Sequence, residues 1–302
     1  MTFGQKLSKF SINTFIRIFL CLLCLTVLYP LFWNLMSSFK TNQEFFNNPW
    51  ALPKELFQPG NNIFQNYINV FTTEVNFPIT LGSFAISLVL QLPIIISFSL
   101  IIALLLNSKI KARGLFRMIF FLPVIIATGP VMTMLTDQGV ASVPMMNDGS
   151  LAAIFAGLPQ FLLDPLTELF NSLIIILWNS GIQILIFLSG LQKVSKTLYE
   201  AAKIDGASGW ESFWKITLPI VKPMILLNAI YTVVTLATGG TNEIIELIYT
   251  VTNAPTKGYE YGMAMSWIYT LIIGVILLIV FLLFREKSDK KVKYEKKLVT
   301  LR

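Results

Sequence analysis

Tyr261-Gly-Met-Ala-Met-Ser-Trp-Ile-Tyr-Thr-Leu-Ile-Ile-Gly-Val-Ile-Leu-Leu-Ile-Val-Phe-Leu-Leu-Phe284 contains no Asp, Glu, Lys or Arg. A helix of that length reaches about 36 Å at ~1.5 Å per residue, and the hydrocarbon core of a bilayer is about 30 Å thick. The stretch therefore reads as a transmembrane helix. The rest of the composition agrees: 55% of the 302 residues are hydrophobic and 13% are charged. Soluble domains carry about 25% charged residues.

Working back along the chain, five further runs meet the length requirement: Ile18–Met36, Ile79–Leu106, Met118–Thr136, Leu169–Leu191 and Pro223–Asn242. The first is too long for a cleaved signal, and Tyr29-Pro30 stands where small residues would be needed. Between the third and fourth runs, residues 137–168 hold four acids and no Lys or Arg, and read as an outer loop with an interfacial or re-entrant segment near Leu151–Leu163. Pro93 should bend or interrupt the second span, and Pro123 with Gly129-Pro130 the third. No internal repeat stands out, and the chain reads as one domain.

Basic residues orient the spans. With the N-terminus inside, inner segments carry three Lys or Arg before the first span, four between spans two and three, five between spans four and five, and eight after the last. Lys40, Lys54 and Lys257 alone fall outside. Twenty against three predicts both termini in the cytoplasm and an even number of spans. A seventh span would put the basic tail outside. The formal charge of +7 thus reflects topology and attraction to anionic lipid, with no call for nucleic acid.

The same six runs contain no ionisable carboxylate, ammonium or guanidinium group, and the chain has no His. Proton relays and voltage sensors depend on such groups within the membrane. Their absence argues against a proton-driven carrier and against a membrane-embedded enzyme, whereas a sodium site built from carbonyls and hydroxyls escapes the test. Cys21 and Cys24 lie inside the first span without partner ligands and read as ordinary apolar residues. A Gly-Lys-Ser/Thr phosphate loop is also lacking, so this chain is expected to bind no cofactor and to hydrolyse no ATP itself.

The loop between spans four and five is where energy would enter. It reads Ser195-Lys-Thr-Leu-Tyr-Glu-Ala-Ala-Lys-Ile-Asp-Gly-Ala-Ser-Gly-Trp-Glu-Ser-Phe-Trp-Lys-Ile-Thr-Leu-Pro219. Thr197 and Glu200 have capping-box spacing, Gly206 suits a helix end, and Ser208 with Glu211 repeats the box. A second helix then aligns Trp210, Phe213, Trp214 and Thr217 as a stripe for the membrane interface, with Pro219 and Pro223 halting it before span five. Two short helices and a glycine turn form a protruding stub on an anchored base.

Glu200-Ala201-Ala202, Asp205-Gly206-Ala207, Phe213, Ile216, Leu218-Pro219 and Pro223 resemble the EAA signature of binding-protein-dependent ABC importer permeases. The chain is similar to the carbohydrate branch, related to the membrane subunits of the maltose transporter. Arg117–Pro123, Leu247–Pro255, Tyr29-Pro30, Ser38-Phe39-Lys40 and Asn66-Tyr67 extend the likeness over nearly the whole chain.

The resemblance implies an all-α integral membrane fold with an importer-type (MetI-like) permease core. Residues 1–78 would hold the N-terminal tail, first span and outer loop, residues 79–284 the core with its coupling loop at 192–222, and residues 285–302 a basic cytoplasmic tail. It further implies a permease subunit in a bacterial cytoplasmic membrane, importing a sugar, oligosaccharide or related solute delivered by an extracellular binding protein. Two nucleotide-binding subunits would hold ATP and Mg, and a second permease chain, different in the carbohydrate branch, would complete the pore. Thr197, Tyr199, Glu200, Ala201, Ala202, Lys203, Asp205, Gly206 and Ala207 would form the ATPase-coupling stub, with Phe213, Ile216, Leu218 and Pro219 as its anchor. Glu200 would pair with a basic residue of the ATPase, and Ala201 and Ala202 would allow close approach. Polar residues in the spans are often only glue between helices; of these, Asn179, Gln183, Tyr231, Thr235, Gly239 and Asn242 are the candidates for the solute path, and Gln91 and Asn228 share their polarity. An ion-gradient-driven secondary carrier and an ABC permease for a non-sugar solute stay open as alternatives.

Overall fold

The computed structural model describes residues 3–54, 63–108, 180–239, 242–254 and 257–285, together with isolated positions between 114 and 159. The third span, the segment near Leu151–Leu163, Asn179, the first half of the fourth span and the basic tail beyond Arg285 lie outside the described residues, save for those isolated positions.

Among the described residues the chain is all-helical. In order, these are α1 (Phe3–Ser38), α2 (Asn42–Asn47), α3 (Gln65–Thr72), α4 (Asn76–Asn107), α5 (Gly181–Leu191), α6 (Lys196–Ile204), α7 (Gly209–Ser212), a π-helical turn (Phe213–Thr217), α8 (Leu218–Thr238), α9 (Glu243–Thr252) and α10 (Tyr259–Phe284). Helix α1, α4, α10 and the helical run containing α8 are long and apolar enough to cross a membrane. In α1 every side chain from Thr14 to Phe32 is exposed. A helix apolar on all sides is a membrane solution and not an aqueous one.

Two expectations about proline change. Pro93 does not interrupt α4, which runs unbroken from Asn76 to Asn107. Pro219 and Pro223 do not halt the loop's second helix: α7 passes through the π turn directly into α8. Pro219 has no N–H to return to the carbonyl of Lys215, and its ring would crowd that turn of an ordinary helix. Widening the preceding turn, with the Leu218 N–H donating to the Phe213 carbonyl, absorbs the conflict. The fifth span therefore starts at Leu218 and ends at Thr238, where Gly239 turns extended.

The chain divides into two compact units, Thr80–Glu243 with Ile272–Arg302, and Met1–Ile79 with Ile244–Leu271. In the first, Ile184, Phe187, Leu188 and Leu191 of α5 are buried at i, i+3, i+4, i+7 spacing. They join Leu88, Ile96, Ala103 and Leu106 of α4, Val221, Ala229 and Val233 of α8, and Val280 of α10. Lipid tails are as apolar as leucine, so close packing and hydrogen bonds must hold such helices together. Both occur here. A Cβ on Gly190 would lie 2.7 Å from Met224 Cγ, so the missing side chain lets α5 approach α8. Gln183 Nε2 donates to Thr232 Oγ1 (3.2 Å) and Asn228 Nδ2 to the Gln183 carbonyl (3.3 Å).

The other unit is organised around a lysine. Lys40, 1% exposed, donates from Nζ to the carbonyls of Asn48 (3.1 Å) and Pro49 (2.8 Å). Asn66 Nδ2 donates to the carbonyls of Ser38 and Lys40, both at 2.8 Å, and the Ser38 and Tyr67 hydroxyls lie 2.7 Å apart. Trp33 Nε1 also donates to Pro49, and Glu44 accepts from the Lys54 N–H. The Ser38-Phe39-Lys40 and Asn66-Tyr67 pairs quoted above are thus two halves of one knot. Burial pushes the Lys40 ammonium below its ordinary pKa while nearby Glu44 acts the other way, and burial pushes the Tyr67 hydroxyl up. Desolvation therefore opposes the charged lysine, and the Glu44 charge together with the two carbonyls acts against it. Around the knot, Tyr29, Trp33, Phe45, Phe46, Trp50 and Tyr259 form a continuous set of ring contacts 5.6–6.3 Å apart. Amphipathic rings of this kind sit at membrane–water interfaces.

Candidate functional site

The Ser195–Pro219 loop folds as a stub and a base. Helix α6 starts two residues earlier than the Thr197/Glu200 spacing implies. Ser195 is the N-cap: its Oγ accepts the Thr197 N–H at 3.3 Å and lies 2.7 Å from the Thr197 hydroxyl. Thr197 is thereby occupied with the serine, and Glu200 is left outside any cap, exposed on the helix surface.

At the other end Gly206 has φ +79°, a conformation that side-chain-bearing residues seldom adopt. Its N–H donates to the Lys203 carbonyl (3.2 Å) and the Ala207 N–H to the Ala202 carbonyl (2.9 Å). That pair of bonds is the Schellman closure. A Cβ on Gly206 would meet nothing within 4 Å, so backbone conformation alone demands the glycine.

No residue of α6 is buried. Glu200, Ala201, Lys203, Asp205 and Gly206 are exposed, Tyr199, Ala202 and Ala207 half-buried, and Ile204 is 86% exposed. The stub thus presents small residues, charges and one apolar side chain to its surroundings. The base is built differently. Ser208 and Glu211 form a complete capping box, with the Ser208 N–H donating to Glu211 Oε2 (2.9 Å) and the Glu211 N–H to Ser208 Oγ (3.2 Å). Trp210, Phe213 and Trp214 cluster with centroids 5.3–6.2 Å apart, Trp210 stacked on Phe213 and Trp214 edge-on to both. Thr217, assigned above to the same stripe, is instead buried, its hydroxyl 2.7 Å from the Tyr199 hydroxyl. Phe213, Ile216 and Leu218 are half-buried around it, and Pro219 is exposed in the first turn of α8. The exposed Lys215–Glu211 pair at 3.6 Å adds little.

Replacing Ser208 by Ala should remove the box at a cost of about 1 kcal/mol. Amide exchange over residues 209–212 should then quicken about five-fold, with α6 unaffected.

Of the residues named for a solute path, Asn179 lies outside the described residues, and Gln183 and Asn242 are engaged within the protein. Gln183 is 2% exposed and spent on Thr232, the role of glue between α5 and α8. Asn242 donates to the carbonyls of Leu236 and Ala237, both at 3.2 Å, closing the end of α8. Tyr231, Thr235 and Gly239 are half-buried at i, i+4, i+8 spacing, which sets Tyr231 and Thr235 on one stripe of α8 and Gly239 just past its end. Sequence reasoning missed the Ser195 cap, whose own serine was a visible signal. It also missed the Tyr199–Thr217 contact, for which an 18-residue separation offers none.

The comparisons agree with this layout. The model of the family described as binding-protein-dependent transport system inner membrane component matches residues 80–293. The probable ABC transporter permease YesP of Bacillus subtilis is 29% identical, over 91% of this chain and 89% of its own. The lactose transport system permease LacF of Rhizobium radiobacter is 31% identical, over 66% of this chain and 73% of its own. In fold, the chain is similar to one from the crystal structure of a bacterial ABC transporter that imports the acidic polysaccharide alginate, with TM-score 0.57 and 17% identity over 94% of this chain and all of that one. Multiple apolar helices, an exposed stub closed by Gly206 and a family match spanning both lead to one assignment: the chain belongs to the binding-protein-dependent transport system inner membrane components, the non-catalytic permease subunits of ABC importers.

Proposed function

We propose that this permease carries a sugar or oligosaccharide, and that its Thr197–Ala207 stub is where ATP hydrolysis on partner chains becomes motion in the membrane. The observation behind the coupling role is the contrast between α6, with nothing buried, and its base, held by a capping box and a cluster of aromatic rings. An element so exposed on so firm a support has the form of a lever whose outer surface is finished by a partner. Ala201 and Ala202 keep its surface low for close approach, Glu200 offers a charge to a basic residue, and Gly206 permits the sharp turn back. Phe213, Ile216, Leu218 and Pro219 carry the displacement into α8.

In this reading six spans place both termini in the cytoplasm of a bacterial cell. Two ATPase subunits bind ATP and Mg, a second and different permease chain completes the pore, and an extracellular binding protein delivers the solute. Closure of the ATPase pair rocks the spans between outward and inward access. Support for a carbohydrate comes from the lactose and alginate systems to which the chain is similar. We assign Tyr231 and Thr235 of α8, Gly239 just past its end and Asn179 to the solute path, with Gln183 and Asn242 nearer its supporting structure.

The test is ATP hydrolysis by the complete complex in lipid nanodiscs, with its binding protein and a panel of neutral and acidic oligosaccharides, amino acids and glycerol phosphates. Stimulation by one oligosaccharide class alone is expected. Stimulation by an amino acid and by no carbohydrate would refute the assignment of cargo.

A further inference from the structure

The weak point of a lever is its joint. Between α6 and α7 the chain passes through Gly206 at φ +79° and then Ala207 and Ser208, a turn fastened only by the helix-end bonds already described. A displacement of α6 transmitted through that turn alone would be lost as bending of the backbone. The structure has a second connection. Tyr199 of α6 reaches past the turn, and its hydroxyl lies 2.7 Å from Thr217 Oγ1. Thr217 is 4% exposed and is the last residue of the π turn, directly before Leu218 at the start of α8. The π turn is closed by the Leu218 N–H on the Phe213 carbonyl, and Thr217 Oγ1 also approaches the Ser212 carbonyl at 3.5 Å. One hydroxyl pair therefore links the middle of the stub to the first turn of a membrane span, bypassing the glycine.

We propose that Tyr199 and Thr217 are positioning residues that form a strut, making α6 and the membrane entry of α8 move as one body. Neither group needs to touch the ATPase to do this. Hydroxyl pairs are directional, and each hydroxyl can donate or accept, so the strut resists rotation of α6 about the Gly206 turn as well as separation. The π turn contributes by setting Thr217 inward at a position where a regular helix carrying the aromatic stripe would have turned it toward the membrane interface.

The proposal rests on the stub being the ATPase contact, and the experiment separates the two. The complex is purified with the ATPase subunits that accompany it, from a Cys21→Ala, Cys24→Ala background carrying Lys222→Cys, and labelled there with an environment-sensitive fluorophore on α8. The signal is the change on trapping with ATP, Mg and vanadate. Thr217→Val keeps shape and removes the hydroxyl. It is expected to retain the ATPase on purification while the trapped-state change falls at least three-fold, and Thr217→Ser should restore it. Tyr199→Phe added to Thr217→Val should cause no further loss, because the pair acts as one unit. An undiminished signal in Thr217→Val, or failure of Thr217→Ser to restore it, overturns the strut. Loss of the ATPase from Thr217→Val would do so too, since the bond would then serve docking and not transmission. The docking reading is judged separately, by whether Glu200→Lys with Gly206→Pro sheds the ATPase.

Discussion

A complex carrying Glu200→Lys together with Gly206→Pro is expected to lose its ATPase subunits, with the amount recovered on purification falling at least ten-fold while the permease remains folded. Two independent insults explain the size of the effect. Proline holds φ near about −65°, whereas Gly206 sits at +79°. Proline also removes the N–H that donates to Lys203, so the Schellman closure is lost along with the turn. The lysine meanwhile turns an exposed carboxylate into a cation facing a surface expected to carry basic groups, and like charges across an interface cost several kcal/mol. The damage stays local because α6 contributes nothing buried. Helical content and oligomer size should therefore match the parent protein. Unchanged recovery of the ATPase and unchanged stimulated turnover would contradict the docking role.

Lys40→Met is expected to lower the melting midpoint of the purified protein by about 5 °C or more. Methionine preserves the length of the stem but donates nothing, leaving the carbonyls of Asn48 and Pro49 without the ammonium that lies 3.1 and 2.8 Å away. Hydrogen bonds to charged groups contribute about 1.5–3 kcal/mol each, and unsatisfied buried acceptors cost about 1–3 kcal/mol. Against this stands the desolvation of the ammonium, which methionine removes and which already depresses the lysine's pKa. Pro49 keeps its bond from Trp33, so the loss falls chiefly on Asn48 and on Glu44, which surrenders its countercharge. The net remains a loss because Asn66 reads the carbonyls on either side of Phe39 at 2.8 Å, and that backbone path depends on where Lys40 is held. An unshifted midpoint, measured by intrinsic fluorescence, would show that the knot is incidental to stability.

Much of the fold was legible because a membrane asks little of a sequence beyond length and apolarity. The last span, read as Tyr261–Phe284, is Tyr259–Phe284, and the second, read as Ile79–Leu106, is Asn76–Asn107. Both errors fall at ends where polar residues continue a helix into the interface. The fifth span moved further, from Pro223 back to Leu218, because prolines in a first turn mark helix starts as readily as stops. Within the loop, Ser208–Glu211 and Gly206 behaved as local chemistry dictates, each needing only neighbours within a few residues. Ser195 displaced Thr197 as the cap because both offer a hydroxyl and the earlier one captures the later.

Contacts between distant segments had no such local signature. Lys40 looked like one of three outer cations, and only the folded chain brings Asn48, Pro49 and Asn66 around it. Thr217 looked like part of an interfacial stripe, because a regular 3.6-residue period was assumed across a turn that proline widens. Gln183 and Asn242 drew attention as polar residues in apolar helices, and their partners proved to be Thr232 and the end of α8. A polar side chain in a span advertises a need for a partner without saying whether that partner is protein or solute.

The most direct measurement is uptake into proteoliposomes containing the full complex, with binding protein and a labelled oligosaccharide outside and ATP with Mg enclosed. Sodium and proton gradients are collapsed throughout. Accumulation that requires the enclosed nucleotide, and that stops when vanadate is enclosed with it, is what a permease without its own energy source must give. Accumulation driven by an imposed sodium gradient in vesicles holding this chain and no ATPase would contradict it.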